Sequence, residues 1–498
     1  MNEAQAKKVI IIGAGIAGLS AGIYAQMNGY QSKIFELHSQ PGGLMTAWKR
    51  KGYTIDGCIH WLTGSKPGSQ LYPLWQEIGL IQQRTLIDPE IFSRVEGKDG
   101  QVLNLYTDIA KFEQNLLEIA PEDKKTIREI CKAMRVFSRY DMQTGKGLLV
   151  RLRNALTALV TMPYFVKWGP KTMKDLGASF TNPFLKRVFS ELWYGEMSSL
   201  GLLMTMGWLA NHAAGYPLGG SMPMALAVEQ RYLSLGGQIR YKSRVKKILV
   251  EGGKAAGVRL EDGSEERADV VISAADGHAT LFEMLEGVAI PETLTAMYQS
   301  APIFPPLVFV GLGVDQTFDD LPAMTGGIAI ELEQPIDVVG QPVDRLDVMV
   351  YNFDPSLAPR GKTALNVMIN TSYQPWKELA EERERYDAEK EKIALAVIQR
   401  LDRRFPGLAG KVEMADVATP LTFERYTGNW QGSFEGWLPT PKAMMKPLPK
   451  TIPGLDAFYM VGQWVQPGGG LPSGVMTGRE VVQMLCKRDG RAFRTSQG

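Results

Sequence analysis

The hydrophobic pattern at the start of the chain predicts a strand, a helix and a second strand within forty residues. Residues 9–12 (VIII) form a β-branched run, which is typical of a strand buried on both faces. The glycine-rich stretch GAGIAG follows directly, and an apolar segment (LSAGIYAQMN) continues to Gly29. The next run, SKIFELH, contains Glu36 and has the composition of a second strand. Together these segments predict a parallel βαβ unit, the basic repeat of an α/β fold.

Later patterns predict further elements. Apolar residues alternate in VKKILV and AGVRLED, and Gly252–Gly253 predicts the turn of a hairpin between them. Residues 377–405 repeat apolar positions at helical spacing and predict one long helix with a charged outer face. Near the end of the chain, AFYMVG predicts a strand before a Gly/Pro-rich loop and a helix. The uncharged stretch 197–228 is interrupted by prolines and glycines, which favours a buried segment over a membrane span.

The glycines of GAGIAG have separate physical roles. Gly13 permits a tight turn, Gly15 lets a pyrophosphate approach the backbone, and Gly18 allows close packing of helix on strand. Phosphates would then lie at the helix N-terminus, where free N–H groups and the helix dipole favour anions. Glu36 is positioned to accept hydrogen bonds from a ribose diol, and its charge argues against a 2′-phosphate. The predicted nucleotide contacts of this unit are Gly13, Ala14, Gly15, Ile16, Ala17, Gly18, Glu36 and Leu37.

Composition narrows the class of protein without identifying it. The 498 residues are 45% hydrophobic and 22% charged, which is typical of a globular protein with two or three lobes. A formal net charge of +2 gives no reason to expect nucleic acid as a partner. Three cysteines and four histidines are scattered along the chain, so we expect neither a metal site nor a disulfide framework. We expect no secretory leader before the first strand, and a reducing, cytoplasmic location.

The residues after Glu36 resemble a known family. The run Pro41-Gly42-Gly43 is similar to the extended FAD fingerprint of the flavin amine oxidase and phytoene desaturase superfamily. Members often carry Arg or Lys after the two glycines, whereas this chain has Leu44, with Lys49, Arg50 and Lys51 following. The segment 51–62 (KGYTIDGCIHWL) resembles the strand beside the flavin in phytoene desaturases, and its IHW element is similar to one in carotenoid isomerases and retinol saturases. The resemblance implies flavin contacts from Gly43, Leu44, Met45, His60 and Trp61, with a structural role for His60 as the alternative.

Two further blocks extend the resemblance over nearly the whole chain. Residues 217–276 imply that Val245 lies against the adenine and that the strand before Asp276 returns to the nucleotide. Residues 458–485 resemble the closing FAD motif of phytoene desaturases. This block implies contacts to the flavin from Gly462, Gln463, Gly474, Val475 and Met476.

The resemblance therefore implies a Rossmann-like domain that binds FAD non-covalently and is discontinuous in sequence. We expect it to comprise residues 1–75, 210–290 and 420–498. An α+β substrate domain is inserted as residues 76–209 and 291–419. Neither insertion contains a second GxGxxG, so no NAD(P)H domain is expected. The terminal electron acceptor and the oligomeric state stay open.

One stretch of the substrate domain has an unusual composition. Residues 142–174 contain six basic residues and no acidic one, and many leucines and aromatic residues lie between them. This mixture is typical of a segment on an anionic membrane surface, which would place the protein on the inner face of the membrane. An amphipathic helix pair packed on the core is the alternative. The basic residues are Lys146, Arg151, Arg153, Lys167, Lys171 and Lys174.

The residues and the resemblance lead to two functional hypotheses. The first is hydride transfer between flavin and a long apolar substrate, a polyisoprenoid or carotenoid, by desaturation, isomerisation or saturation. His60 and Glu196 are candidate catalytic residues, and Glu435 is a further one. Tyr426, Trp430 and Phe434, spaced by four, and then Trp437 are expected either to cover the flavin or line a tunnel, or to pack in the core. The second hypothesis is a flavin amine oxidase, although its Gly-Glu-Ala-Thr-like element is replaced here by residues 462–465 (GQWV).

Overall fold

The computed structural model describes residues 6–140, 147–288, 290–445 and 448–496. Most of the strands belong to two large sheets, and the others form short hairpins and connections between them. The strands are β1 Lys8–Ile12, β2 Gln31–Phe35, β3 Ala47–Arg50, β4 Tyr53–Asp56, β5 Leu62–Thr63, β6 Leu86–Ile87, β7 Ile91–Glu96, β8 Val102–Tyr106, β9 Ala214–Pro217, β10 Gln238–Arg240, β11 Val245–Glu251, β12 Lys254–Leu260, β13 Glu265–Arg267, β14 Val270–Ser273, β15 Leu307–Val314, β16 Ile328–Val338, β17 Gln341–Val350, β18 Thr363–Asn370, β19 Val412–Ala418 and β20 Phe458–Met460.

Helices pack on both large sheets, and a further group of helices has a core of its own. The helices are α1 Ile16–Met27, α2 Tyr72–Glu77, α3 Ile109–Ile119, α4 Lys124–Arg139, α5 Leu148–Trp168, α6 Met173–Ala178, α7 Pro183–Glu191, α8 Ser199–Ala210, α9 Ser221–Ser234, α10 Glu292–Ser300, α11 Tyr373–Leu379, α12 Arg383–Arg404, α13 Pro420–Thr427, α14 Pro441–Met444 and α15 Gly470–Arg488.

A parallel five-stranded sheet is assembled from segments far apart in the sequence. Its order is β10-β2-β1-β14-β20, and β1 pairs with β2 on one side and with β14 on the other. The predicted strand 9–12 is thus central and buried on both faces, which explains its apolar run. The α/β class and the Rossmann-like βαβ unit predicted from the sequence are confirmed.

Close helix packing covers one face of this sheet. Helix α15 crosses α1, and a Cβ atom at Gly474 would come within 2.6 Å of Ile16 Cγ2. One at Gly478 would come within 2.9 Å of the Ala17 carbonyl oxygen. The two glycines of the last helix therefore bring the C-terminal block onto the first βαβ unit.

The second large sheet is built from the two insertions and has the order β19-β15-β18-β17-β16-β7-β8. All of its pairings are antiparallel except that of β16 with β7. One face packs on α12 through residues such as Leu346 and Val348, while the opposite face lines a cavity. The helical layer α3–α8 has its own core beside this cavity.

The predicted helix over 377–405 is wrong in one respect, because the chain forms two helices, α11 and α12. Trp376 of α11 and Tyr386 of α12 have ring centroids 5.8 Å apart. Ten residues of straight helix would separate them by about 15 Å, so the break lets both rings reach one core. The four-residue spacing of Tyr426, Trp430 and Phe434 is not helical either, since α13 ends at Gly428, whose φ is +69°.

Within the predicted surface segment 142–174, residues 142–146, including Lys146, lie outside the described residues. The remainder forms α5 and the start of α6, not a packed helix pair. Helix α5 buries two polar residues, Thr157 and Thr161, and turns its leucines outward. Leu149 is 82% exposed and Leu159 is 73% exposed. Among the described residues, no helix is both long and apolar enough to cross a bilayer.

Candidate active site

A single long cavity of about 970 Å³ begins at the glycine turn of β1 and runs into the space between the helical layer and the seven-stranded sheet. This volume lies at the upper end of the range for small-molecule sites, roughly 300–1,000 Å³. We call the part formed by segments 12–17, 35–45, 243–245 and 461–474 the nucleotide half, and the remainder the substrate half.

Most of the residues predicted to bind the cofactor line this one cavity. They come from all three blocks of the sequence, so the fold brings three separate sequence motifs together around one cavity. These lining residues are Gly13, Gly15, Ile16, Ala17, Glu36, Leu37, Gly43, Leu44, Met45, His60, Trp61, Val245, Gly462, Gln463 and Gly474.

Four predicted contacts lie behind the cavity wall and are corrected here. Ala14 is fully buried, and its backbone N–H donates to Glu36. A Cβ atom at Gly18 would collide with the Gly13 carbonyl oxygen, so Gly18 serves packing. Val475 is fully buried and Met476 packs against the core, because both lie on faces of α15 that turn away from the cavity.

The glycine turn has the geometry expected of a phosphate cradle. Gly13 has a φ of +97°, which a side chain would strain. A Cβ atom at Gly15 would make only ordinary contacts within the protein, the nearest being the Gly42 carbonyl oxygen at 3.8 Å. Gly15 therefore leaves open space on the cavity side, ahead of the first turn of α1. The cradle fits a dinucleotide pyrophosphate, with the helix N-terminus facing it.

Glu36 holds the cradle together as well as lining it. Its two carboxylate oxygens accept the backbone N–H groups of Ala14, at 2.6 Å, and His38, at 2.7 Å. Each oxygen retains a second lone pair, so the carboxylate can still accept a ribose hydroxyl. The cations nearest this half are Arg244 and Arg425, both of which line the cavity.

The basic residues after the PGG segment do not serve the cradle. Arg50 pairs with Asp416, and Lys51 donates to the Glu413 carbonyl oxygen. The hairpin β3–β4 carries them away from the cavity, and they are not among its lining residues. Arg244, which directly precedes Val245, was not singled out in the sequence because it has no motif around it.

A buried carboxylate, Asp56, positions the loop that carries His60. Asp56 accepts the backbone N–H groups of Cys58 and Ile59, and it also accepts the hydroxyl of Ser221 at the start of α9. Burial raises the pKa of Asp56, and these hydrogen bonds oppose the shift. This role could have been predicted from the sequence, because an aspartate stands inside the apolar run YTIDGCI.

The three candidate proton-carrying residues have very different surroundings. His60 lines the cavity, and burial lowers its pKa to about 4, so its imidazole is neutral at pH 7. Glu196 is 58% exposed, forms an ion pair with Lys174 and is not among the lining residues, which removes it as a candidate. Glu435 lines the cavity beside Gly469 and Gly470, and burial raises its pKa to about 8.

The aromatic residues near Glu435 divide between cavity and core. Tyr426 and Phe434 line the cavity. Trp430 instead stacks on His278 with ring centroids 5.1 Å apart, and Trp437 is buried against Trp464. Two of these aromatic residues therefore line the cavity and two pack in the core, and their relation to a flavin stays a prediction.

The substrate half is mainly aromatic and aliphatic. Trp61 stacks on Trp193 with centroids 6.0 Å apart and meets Phe92 edge-on at 5.2 Å. Sequence reasoning missed the polar exceptions, because they lie in the insertions without any motif. Among these exceptions are Tyr194, Arg345, Asp347 and Asn370.

The parallel sheet, its glycine cradle and the adjoining apolar cavity define a dinucleotide-binding enzyme. The family model for flavin containing amine oxidoreductases matches residues 16–486, and the chain belongs to this family. It is thus a flavin-dependent oxidoreductase.

Comparison with individual proteins confirms the resemblance to carotenoid desaturases and isomerases. The chain is 27% identical to a chloroplastic prolycopene isomerase of Daucus carota, over 96% of this chain and 80% of the relative. It is 26% identical to a neurosporene-forming phytoene desaturase of Rhodobacter capsulatus, over 96% of this chain and 94% of the relative. Among solved structures, cyclohexylamine oxidase from Brevibacterium oxydans has a TM-score of 0.58 at 16% identity, covering 98% of this chain and all of that one, which shows a shared fold.

Proposed function

We propose that the protein binds FAD non-covalently and transfers a hydride between the flavin and a long apolar substrate, a polyisoprenoid or carotenoid. One observation carries this proposal: the glycine cradle opens without interruption into an aromatic-lined space. The names of the relatives, prolycopene isomerase and phytoene desaturase, support the same substrate class. Desaturation, isomerisation and saturation of carbon–carbon bonds are the reactions in question.

The residues of the cavity supply orientation and a proton. FAD, when bound, accepts or returns the hydride, and the companion proton must be held by the protein or by water. Glu435 is suited to this role because it lines the cavity and its carboxyl group is mostly protonated at pH 7. His60, which is neutral at that pH, can accept a hydrogen bond but contributes no charge. The stacked tryptophans orient a flat polyene and exclude water.

The test is turnover of polyenes in lipid. The flavin-loaded protein is incubated without oxygen with phytoene or prolycopene in liposomes, starting once from oxidised and once from reduced protein. Carotenoid products are separated by chromatography and identified by their absorption. Conversion in either state supports the proposal, and the productive state gives the direction.

A flavin amine oxidase is the second candidate, and the likeness to cyclohexylamine oxidase favours it. The polar residues of the substrate half are also compatible with a small amine. Peroxide release with cyclohexylamine or putrescine in air, without any conversion of polyenes, would establish this alternative and contradict the first.

We also propose that α5 rests on the membrane surface, so that the protein is peripheral. Its exposed face carries leucines where a helix on an aqueous surface would carry polar residues. Arg151 and Arg153 are exposed beside these leucines and suit anionic lipid headgroups. A bilayer contact would give a membrane-dissolved substrate a short path to the cavity. Three of the six basic residues have protein partners instead, since Lys167 pairs with Glu129, Lys174 pairs with Glu196 and Lys171 lies over the Trp168 ring.

A further inference from the structure

The substrate half contains one ion pair, Arg345 with Asp347, on an otherwise mainly apolar surface. The two residues are two positions apart on β17, so they share the face that lines the cavity, while Leu346 between them is buried on the other face. Ala329 of β16 and Met368 of β18 flank Asp347 in the sheet, and both also line the cavity. The ion pair therefore lies on the cavity floor, with an apolar residue on each side of Asp347 in the sheet.

In each side chain of this pair, at least one polar atom has no hydrogen-bond partner among the described residues. Arg345 Nη2 donates to Asp347 Oδ2 at 3.1 Å, and Arg345 Nη1 donates to the Glu191 carbonyl oxygen at 3.1 Å. Within the described parts of the chain, Arg345 Nε and Asp347 Oδ1 have no further hydrogen-bond partner. Nearby, the Tyr194 hydroxyl reaches Asn370 Oδ1 only at 3.5 Å, the outer limit of a hydrogen bond. Free donors and a free acceptor thus face the same space.

A hydrocarbon in this position would displace water from these groups and replace none of their hydrogen bonds. Removing a charged group from water without giving it a hydrogen-bond partner costs free energy, and the cost is larger than for a neutral polar group. A hydroxyl group both donates and accepts, so it can take a hydrogen bond from Arg345 and give one to Asp347. An ammonium group cannot accept a hydrogen bond from Arg345, and a carboxylate cannot donate one to Asp347, so the pair favours a neutral oxygen function that does both.

We infer that the substrate is an apolar chain that carries a hydroxyl group, and that Arg345 and Asp347 bind this hydroxyl. The inference rests on the proposed function and names its substrate class more closely. It also separates the two roles of the cavity, in which aromatic side chains hold the chain and the ion pair fixes its position along the cavity.

The experiment compares two probes that differ at one end only. Geranylgeraniol and the same C20 chain ending in a methyl group are titrated into the flavin-loaded protein in detergent micelles. Quenching of tryptophan fluorescence measures binding, since Trp61 and Trp193 lie in the cavity. Affinities are corrected for the partition of each probe into the micelle. The alcohol is expected to bind about 10- to 100-fold more tightly than the hydrocarbon.

The double variant Arg345→Met/Asp347→Leu should abolish this preference and leave the hydrocarbon affinity unchanged or higher. The matched control is Arg404→Met/Glu96→Leu, which removes a half-buried ion pair of the same sheet that does not line the cavity. This control should retain the preference. Flavin content, measured for every variant, shows that the fold is intact, and the comparison of probes on the wild-type protein does not depend on any variant.

Each of the other possible results would contradict a stated part of the proposal. Equal corrected affinities on the wild-type protein, or a preference that survives in the double variant, would overturn the hydroxyl site and leave the proposed function standing. Tighter binding of geranylgeranylamine than of the alcohol would overturn the neutral-oxygen class. If neither isoprenoid binds while cyclohexylamine reduces the flavin, the proposed function itself fails.

Discussion

The two halves of the cavity are built in opposite ways. In the nucleotide half, backbone turns at Gly13, Gly15 and Gly42 create the surface, and a single carboxylate, Glu36, fixes them. In the substrate half, side chains from the helical layer and the seven-stranded sheet create the surface, and the backbone lies behind them. A backbone surface tolerates almost no substitution, whereas a side-chain surface can be changed one residue at a time.

This difference explains how one fold serves both a carotenoid isomerase relative and an amine oxidase neighbour. A fold can keep its glycine cradle while the substrate half changes, because function depends on the site and not on the fold. It also predicts that substitutions in the two halves should have separable effects, on flavin content in one case and on substrate or membrane in the other.

The largest effect is expected for Gly15→Val. A side chain at this position fits within the protein but occupies the space of the pyrophosphate, so the variant should fold and lose essentially all flavin. Absorbance near 450 nm after purification measures the flavin content, and circular dichroism measures the fold. Gly18→Ala is the informative contrast, because its Cβ atom would collide with Gly13 and should destabilise the protein itself. Full flavin occupancy in Gly15→Val would contradict the placement of the cradle.

The next largest effect concerns the proposed membrane surface of α5. Leu149→Ser/Leu159→Ser should weaken co-sedimentation with anionic liposomes by roughly 100-fold or more, because each buried leucine contributes about 1.5–3 kcal/mol. Flavin content should not change. Leu395→Ser is the matched control, since Leu395 is 61% exposed on α12, in the other helical region.

Salt dependence tests the electrostatic part of the same contact. Wild-type binding should weaken as salt increases, and Arg151→Gln/Arg153→Gln should make it less dependent on salt. Wild-type protein that stays in the supernatant with anionic vesicles at low salt would refute the membrane surface altogether.

Glu36→Ala should have a smaller effect, confined to the nucleotide half. A hydrogen bond to a charged group contributes about 1.5–3 kcal/mol, so FAD affinity should fall about 10- to 150-fold. The backbone N–H groups of Ala14 and His38 also lose their acceptor, which adds some loss of cradle order. Flavin titration of the stripped protein measures the affinity. An unchanged value would show that Glu36 orders the loop without touching the ribose.

The sequence predicted the nucleotide half much better than the substrate half, for a physical reason. Glycine turns, the βαβ unit and Glu36 are local, so a short motif carries their geometry. The fold brings together Arg345, Asp347 and Tyr194 only when segments more than a hundred residues apart in the sequence pack against one another. No local sequence pattern marks these residues. The break between α11 and α12 was missed likewise, because it serves a tertiary contact between Trp376 and Tyr386.

The outward face of α5 is an intermediate case. Composition alone marked the segment, since six basic residues and no acidic one lie among leucines. The orientation of the helix could not be predicted from composition, because its apolar residues are spread around the helix and its buried face combines Thr157 and Thr161 with Trp168.

The last and most informative effect concerns Glu435, a carboxyl group in the cavity wall. Since burial raises its folded-state pKa from 4.5 to about 8, the folded state favours the protonated form. Its contribution to stability is therefore complete below about pH 4.5 and is lost as the pH rises through about 8. Glu435→Gln should remove this loss, so its melting temperature should fall less between pH 6 and pH 9 than that of the wild type. The titratable groups facing Glu435 are Cys58 and Tyr194, whose pKa values burial raises, so both stay neutral over this range.

The activity of the same variant then gives the direction of the reaction. Desaturation needs Glu435 as a proton acceptor, so its rate should rise as the pH increases through about 8. Saturation, and isomerisation by proton donation, need the protonated form, so their rates should fall over the same range. In Glu435→Gln either dependence should disappear together with most of the turnover, while flavin content stays normal. An infrared band of a protonated carboxyl that titrates near pH 8 in the wild type and is missing from the variant would identify the group directly. If the rate, the melting temperature and the infrared band all keep their wild-type pH dependence in Glu435→Gln, the proton must be carried by another group or by water.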